Sequence, residues 1–240
     1  MSTTTLGSNP HGLVLRPAEE RFHTRLDWLD SWHSFSFSTH SDPDWMGFGP
    51  LRVINDDRIS AGRGFGMHSH RDMEIVTVMV EGQLNHRDSM GHAEVLRSGE
   101  VQRMSAGTGV MHSEINEGSQ SCRLLQIWIE PSRSGVAPAY EQKPFRIGAG
   151  WTPLIDPDRQ AGAMALQRPV RLWRAQPGAG QALSLAIGSD RQGWIQIIEG
   201  GGMADSQVLL RGDGLGFHAG QLEAFRAGDA GADLLLFELI

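Results

Sequence analysis

Short runs of β-branched and aliphatic residues dominate this chain, and glycine or proline bounds most of them. Residues 74–80 and residues 194–198 are typical of buried strands. Thirty glycines and eleven prolines punctuate such runs, and convincing helical periodicity is scarce. A short helix is compatible only with residues 16–32. The pattern therefore predicts an all-β protein.

A stretch rich in proline and glycine divides the chain near its middle. Residues 131–157 contain five prolines and are typical of a connector. With 240 residues, the chain has enough length for two β-barrels of roughly 100 residues, each with its own core. We predict an N-terminal metal-binding domain over residues 1–135, a linker over 136–160 and a C-terminal domain over 161–240.

Two short phrases carry the candidate chemistry, MHSH at residues 67–70 and MHSE at residues 111–114. Alternate side chains of a strand point to one face, so His68 and His70 project together, as do His112 and Glu114. Side by side, two such strands offer three imidazoles and a carboxylate. That donor set suits a divalent transition metal such as iron, with coordination positions left for a substrate or oxygen. We predict a mononuclear metal site inside a barrel.

The two halves resemble degenerate copies of each other. VMVEG at residues 78–82 parallels IIEG at 197–200, and LRSGE at 96–100 parallels LRGD at 210–213. When the spacing between these motifs and the candidate ligands is applied to the second half, four residues without ligand chemistry stand at the ligand positions. They are Ala186, Gly188, Phe225 and Ala227. The first pair matches His68 and His70, and the second pair matches the phrase at 111–114. We therefore predict a C-terminal barrel without metal ligands.

The histidine pair alone is a weak signal, because ten histidines in 240 residues give about 0.4 His-x-His motifs by chance. The spacing around it strengthens the prediction and resembles the two-part signature of the cupin superfamily, small β-barrels that hold a metal. The residues that carry this resemblance are Gly62, His68, His70, Glu74, Gly82, Gly99 and His112. In ordinary cupins the residue matching Glu74 is a fourth ligand, and here Glu114 competes for that role.

A closer resemblance rests on a dense series of motifs between residues 25 and 145. They are WLDS at 28–31, HSFSF at 33–37, GFGPLRV at 47–53, NDD at 55–57, HRDME at 70–74, HRDSMG at 86–91 and GEVQRMSAGTG at 99–109. With these motifs the chain resembles the pirin family, particularly its bacterial quercetinase-like members. The match is much thinner beyond Pro157.

This resemblance implies a bicupin, two cupin-type barrels in tandem, whose N-terminal barrel binds iron. The residues that match the family's ligands are His68, His70, His112 and Glu114. One departure is Ser69, where many pirins have proline, and it alters neither the ligand chemistry nor the strand phase. We expect one divalent transition metal per chain, Fe²⁺ first, with Mn, Ni, Cu, Zn or Co as alternatives.

The activity implied by the resemblance is that of a quercetin 2,3-dioxygenase-like oxidoreductase. Such an enzyme uses dioxygen to open the heterocyclic ring of a flavonol such as quercetin, with release of carbon monoxide. Glu114 would ligate the resting metal and accept the proton of the substrate's 3-hydroxyl group as a general base. The alternative is a regulatory binding protein that acts through protein partners and responds to the oxidation state of its metal.

Three other residues have interpretations that do not involve metal binding. Glu74 is expected to support the metal ligands through a hydrogen bond, or to form a salt bridge with Arg63 or Arg71. His86 is expected at the polar end of a hairpin, with a role at the pocket mouth as the alternative. His33 is expected to be a structural histidine with satisfied hydrogen bonds, rather than a cavity residue.

Charge and cysteine content indicate which partners and which cellular compartment to expect. A net charge of −7 and a pI near 5.8 disfavour nonspecific binding to nucleic acid or to anionic membranes. The lone Cys122 cannot form an internal disulfide, and burial in a strand is expected, which fits a reducing compartment. Residues 1–9 lack a signal pattern, and no run approaches the ~20 apolar residues of a membrane span. We expect a cytoplasmic protein.

Overall fold

The computed structural model describes residues 12–240, and strands dominate it. In the N-terminal half they are β1 (Val14–Arg16), β2 (Phe22–Arg25), β3 (Leu29–His33), β4 (Leu51–Ile59), β5 (Gly64–His70), β6 (Glu74–Glu81), β7 (Gln83–Asp88), β8 (Ala93–Arg97), β9 (Glu100–Ser105), β10 (Val110–Ile115), β11 (Cys122–Ile129) and β12 (Ala139–Pro144). In the C-terminal half they are β13 (Thr152–Ile155), β14 (Arg171–Ala175), β15 (Ala182–Ser184), β16 (Gln192–Ala204), β17 (Gln207–Leu210), β18 (Gly214–His218) and β19 (Ala224–Leu239).

Helical structure in the described residues is confined to three short 3-10 segments, Ala18–Glu20, Pro43–Trp45 and Gln160–Gly162. The all-β prediction is confirmed. The short helix considered within residues 16–32 is reduced to the first of these segments, because β2 and β3 on either side of Leu26 form an antiparallel pair. The prediction about residues 1–9 lies outside the described residues.

The N-terminal barrel consists of two facing sheets. One has seven strands in the order β12-β9-β6-β11-β4-β3-β2, and the other has four in the order β5-β10-β7-β8. All pairings are antiparallel, so each strand presents alternate residues to the interior. The interior between these two sheets is where the candidate site lies.

The C-terminal barrel is built on two long strands, β16 and β19, which pair with each other along most of their length. Its sheet has the order β1-β18-β16-β19-β14-β13, with β15 beside β19 and β17 beside β16. A shared hydrophobic core joins the two barrels, and it includes Phe35, Leu51, Ile127, Trp194 and Phe237.

Two pairings bear on the predicted domain division. β12 lies within residues 136–160 and pairs with β9 of the N-terminal barrel, whereas β1 pairs with β18 of the C-terminal barrel. The division into residues 1–135, 136–160 and 161–240 stays a prediction. Of the described residues, no helix has the length and apolar character needed to cross a lipid bilayer.

Strand register confirms that the halves are copies. Gly82, between β6 and β7, and Gly200, within β16, both adopt positive φ, +75° and +67°, at corresponding turns of the chain. A Cβ at Gly82 would lie 2.9 Å from the Cβ of Cys122, and one at Gly200 would lie 2.2 Å from the carbonyl oxygen of Gly231. Both turns therefore require glycine, for the backbone conformation and for the close approach. Cys122 itself is buried, as expected.

Each barrel has one Arg–Asp ion pair at the same place in the fold, but the strand that carries the arginine in one barrel carries the aspartate in the other. Arg123 on β11 donates two hydrogen bonds of 2.7 Å to Asp56 on β4. At the matched place in the second barrel, Arg174 on β14 donates to Asp233 on β19 at 2.8 and 2.6 Å. The cation and the anion have thus changed strands. Arg123 also contacts Glu199, which connects the two barrels.

Candidate metal centre

The two histidine phrases lie on adjacent antiparallel strands, as their alternation predicts. His68 on β5 is directly opposite His112 on β10. Met67, Ser69 and Met111 are exposed on the other face. Between His112 and Glu114 the register shifts, because Glu114 is opposite Phe65 rather than Gly66. Such β-bulges are frequent beside active sites, where they redirect side chains.

Three imidazoles converge on one point. Ring centroids are 4.4 Å apart for His68 and His112, and 4.8 Å apart for His70 and each of the other two. The Nε2 atoms of His68 and His112 are 3.0 Å apart. The Nδ1–H of His68 donates to the carbonyl oxygen of Gly66 at 2.8 Å, which leaves the Nε2 lone pair directed toward His112.

Burial keeps two of these rings, those of His70 and His112, neutral. Burial, followed by the nearby His112 and His68, lowers the pKa of His70 to about 4. Burial, followed by His68 and His86, lowers the pKa of His112 to about 3. Neutral imidazole is the form that binds metals, so both rings are available as ligands at neutral pH.

Glu114 is buried beside His112 and has one free oxygen. Gln126 on β11 donates through Nε2 to Glu114 Oε2 at 2.9 Å, and Thr77 donates to the Gln126 side-chain oxygen at 2.8 Å. These contacts fix the carboxylate in place. Its other oxygen, Oε1, is buried without a hydrogen-bond partner in the described residues.

A second set of ligand atoms includes His86, which the sequence interpretation placed at a polar hairpin end. His86 on β7 lies opposite Glu114, and His86, His112 and Glu114 form a group with ligand atoms within 4.8 Å of one another. His86 is 1% exposed, and its Nε2 is 3.0 Å from Asp88 Oδ2. The signal was present in HRDSMG, but the position of His86 depends on the register between β7 and β10, which local sequence does not show.

The residues present fit a transition metal. His68, His70 and His112 form a group with ligand atoms within 4.8 Å, and this group shares His112 with the second set. Two nitrogens 3.0 Å apart match two ligands at a right angle around a metal with bonds of about 2.1 Å. Glu114 Oε1, a buried atom without a hydrogen-bond partner in the described residues, is what a site built for an additional group leaves open. No comparable group occurs in the described C-terminal half.

A cavity of about 240 Å³ opens beside these ligands. His68, His70 and Glu114 line it from the four-stranded sheet, and the seven-stranded sheet supplies the opposite wall. Its aromatic lining consists of Trp28, Phe37, Phe65 and Trp128. Mostly apolar walls with a few convergent polar groups are typical of small-molecule sites.

Glu74 and His33 agree with the sequence interpretation only in part. Glu74 accepts hydrogen bonds from Ser105 Oγ at 2.7 Å and from the Gln167 backbone N–H at 3.1 Å. The expected salt bridge with Arg63 or Arg71 is wrong, because those arginines pair with Asp27 and Asp72. His33 is fully hydrogen-bonded, as expected, but it also lines the cavity.

The spacing argument for the second copy needs one correction. Phe225 lies opposite Ala204 as Glu114 lies opposite His86, so Phe225 matches Glu114 and not His112. The segment that precedes it is two residues shorter in the second copy, since Phe225 follows Gly220 by five residues and Glu114 follows Gly107 by seven, and this shifts a count based on spacing alone.

Comparison with known proteins covers both halves. The family profile named Pirin matches residues 15–129, and the profile described as Quercetinase C-terminal cupin domain matches residues 154–239. The prediction of two cupin-type barrels in tandem is confirmed by these matches and by the solved structures below.

Relatives match along nearly the whole chain. A protein named quercetin 2,3-dioxygenase from Escherichia coli K12 is 42% identical over 228 residues, which cover 95% of this chain and 98% of that protein. The crystal structure of YhhW from Escherichia coli has a TM-score of 0.91 at 42% identity, covering 95% of this chain and 97% of that one. A second structure, of bacterial pirin YhhW in complex with nickel(II), has a TM-score of 0.90 at 42% identity and covers 95% and 98% of the two chains.

Proposed function

The chain belongs to the pirin family, and from that premise we propose that it is a metal-dependent dioxygenase that cleaves flavonols such as quercetin. The reaction would open the heterocyclic ring with dioxygen and release carbon monoxide. The observation that carries this proposal is a group of three imidazoles, two of which line a cavity together with the buried carboxylate of Glu114. The relatives named quercetin 2,3-dioxygenase support the reaction class.

The proposed ligands are His68, His70, His112 and Glu114, with Fe²⁺ as the expected metal. The nickel(II) complex of a 42% identical pirin supports a divalent transition metal, and other such metals would fit the donors proposed here. A bound metal would supply Lewis acidity and the redox chemistry with dioxygen. The side chain of His86 has a ligand atom within 4.8 Å of those of His112 and Glu114, close enough to help orient these two ligands.

The protein's own groups would bind, orient and deprotonate the substrate. Glu114 is held through Oε2 by Gln126, so Oε1 is the atom we assign as acceptor of the 3-hydroxyl proton. The aromatic walls at Trp128 and Phe37 offer faces against which a planar flavonol would stack. Their closeness to the ligands limits the water around the reacting group.

The test uses two flavonoids that differ at the metal-binding end. Iron-loaded protein is expected to consume dioxygen, bleach the visible absorption of quercetin and release carbon monoxide. A flavonoid without the 3-hydroxyl group is expected to remain intact, because it lacks the proton that Glu114 is proposed to accept. Equal reaction of both would contradict this mechanism. No reaction with several flavonols at verified full iron content would favour the regulatory alternative.

A further inference from the structure

The cavity wall opposite the histidines carries a second set of polar side chains. Ser31 on β3 pairs in register with Asp57 on β4, and His33 on β3 pairs with Asn55 on β4. Strand alternation turns all four inward, and all four line the cavity. Facing sheets lie about 10 Å apart, so one planar aromatic molecule is long enough to reach from the histidines to this wall.

Asp57 is the member of this set with unused hydrogen-bonding capacity. Its Oδ1 accepts a hydrogen bond from Ser31 Oγ, whereas the described residues provide no donor to Oδ2. The described residues also give it no ion-pair partner, and its nearest charged neighbours, Asp56 and Glu114, are themselves acidic. His33 and Asn55, in contrast, hydrogen-bond each other at 2.8 Å.

The protonation of Asp57 suits it to a neutral polar partner. It is 3% exposed, and this burial raises its pKa to about 7. Near neutral pH its carboxyl group is therefore present in both forms, of which one donates and both accept hydrogen bonds. A phenolic hydroxyl, which donates and accepts in the same way, complements it.

The fold itself does not require an acid here. The register of β4 with β11 and of β14 with β19 matches Asp57 to Ala175, which is fully buried in the apolar core of the C-terminal barrel. Burying a carboxyl group with incomplete hydrogen bonding is costly, whereas alanine at this place has no such cost. The acid therefore needs a reason other than packing.

We propose that Asp57, oriented by Ser31, hydrogen-bonds a hydroxyl group at the end of the substrate distant from the metal ligands and so selects polyhydroxylated flavonols. This inference rests on the proposed function. Because the contact is far from the reacting atoms, it is made equally in the ground state and in the transition state. It lowers KM and leaves kcat nearly unchanged.

The test measures two substrates with wild type and with variants of this cavity wall. Quercetin is compared with 3-hydroxyflavone, which keeps the 3-hydroxyl group and lacks the distal hydroxyls. We measure kcat and KM with iron-loaded protein and the Kd of both flavonols without oxygen. Wild type is expected to prefer quercetin by about 10-fold or more in kcat/KM, through KM, as expected for one buried hydrogen bond.

Three variants locate that preference. Asp57→Ala, which copies the matched residue of the other barrel, is expected to reduce it to below about 3-fold, with 3-hydroxyflavone little affected. Ser31→Ala keeps Asp57 but removes the hydrogen bond that orients it. The preference for quercetin, expressed as a free energy, should then fall to about half of its wild-type value. Asp30→Asn, on the outer face of β3, is the control and should behave as wild type.

The outcomes separate this inference from the function on which it rests. If wild type at full iron content reacts with neither flavonol, the proposed function is overturned together with the role of Asp57. If it reacts with both and Asp57→Ala keeps the preference, only the role of Asp57 is overturned. Should Asp57→Ala fail to fold, unchanged selectivity in Ser31→Ala would overturn it instead.

Discussion

The two barrels share a strand arrangement and differ in what fills them. At six matched positions, the N-terminal barrel has a buried polar residue where the C-terminal barrel has a buried apolar one. The matched pairs, N-terminal residue first, are Asp57 and Ala175, Thr77 and Ile195, His86 and Ala204, Gln102 and Leu215, Glu114 and Phe225, and Gln126 and Leu236. All six apolar residues belong to one hydrophobic cluster.

This difference shows that the architecture is independent of the polar interior. An apolar core fills the second barrel, whereas the first retains a cavity and must satisfy buried donors and acceptors. It does so partly through short chains of hydrogen bonds, such as that from Thr77 through Gln126 to Glu114. The atoms that these chains leave free are those assigned above to metal and substrate.

The largest expected effect concerns metal content, because the comparison assigns all ligands to one barrel. Wild type should bind one transition metal per chain. The double change His68→Ala with His70→Ala should abolish binding, since it removes two of the three imidazoles, a loss beyond the ~10–100-fold typical of supporting residues. His218→Ala, in the C-terminal barrel, is the control. Elemental analysis that finds two metals per chain, or an occupied double variant, would contradict the assignment.

The next effect separates two buried acids of the N-terminal barrel. Glu114→Gln should lower kcat/KM for quercetin by about 10²–10⁴-fold, the range for loss of a general base, with little change in stability. Glu74→Gln should change stability and leave turnover within a few-fold, because Glu74 bonds Ser105 and the Gln167 backbone. Steady-state kinetics and thermal unfolding of both variants make the comparison. Equal losses of turnover would show that the two acids are not separated as we describe.

A third change affects the apolar core of the C-terminal barrel and leaves the candidate metal site intact. Phe225→Ala opens a cavity where Glu114 has its counterpart, and we expect a loss of about 3–5 kcal/mol in the free energy of unfolding. Metal content should stay at one per chain. Denaturant unfolding and elemental analysis measure the two quantities. Loss of metal from a folded variant would show that the barrels are more strongly coupled than their separate interiors indicate.

The fourth effect is a pH dependence of stability that arises from Asp57 in the polar interior of the N-terminal barrel. The pKa of Asp57 rises on folding from 3.8 to about 7, so between these values the folded chain holds a proton that the unfolded chain releases. The contribution of Asp57 to stability should therefore fall by up to about 4 kcal/mol as pH rises through this window. His70 and His112, whose pKa values are lowered on folding, contribute a rise in stability over the same range, so the contribution of Asp57 is measured as a difference between variants. In metal-free protein, the stability of Asp57→Asn relative to wild type should increase with pH, whereas that of Asp30→Asn should not. Parallel profiles for wild type and Asp57→Asn would exclude this contribution.

Sequence reasoning succeeded where local periodicity determines the structure. Alternation was enough to place His68 and His70 on one face, and the repeated glycine turns were enough to predict two copies. It did not place His86 with Glu114, because alternation gives the face of a residue but not the neighbour across the ladder. The same limit hid the pairing of Ser31 with Asp57, 26 residues apart, and that of β1 with β18.

The reversed ion pairs have a consequence for how a tandem repeat reaches the correct structure. Two similar barrels in one chain risk exchanging equivalent strands while they fold. If β4 paired with β19, Asp56 would meet Asp233, and if β14 paired with β11, Arg174 would meet Arg123. Like charges at such positions are destabilising, so the reversal discriminates against misassembled chains. Exchanging Arg174 and Asp233 keeps the native pair but removes this discrimination, and a refolding yield that falls by more than the change in final stability explains would reveal it.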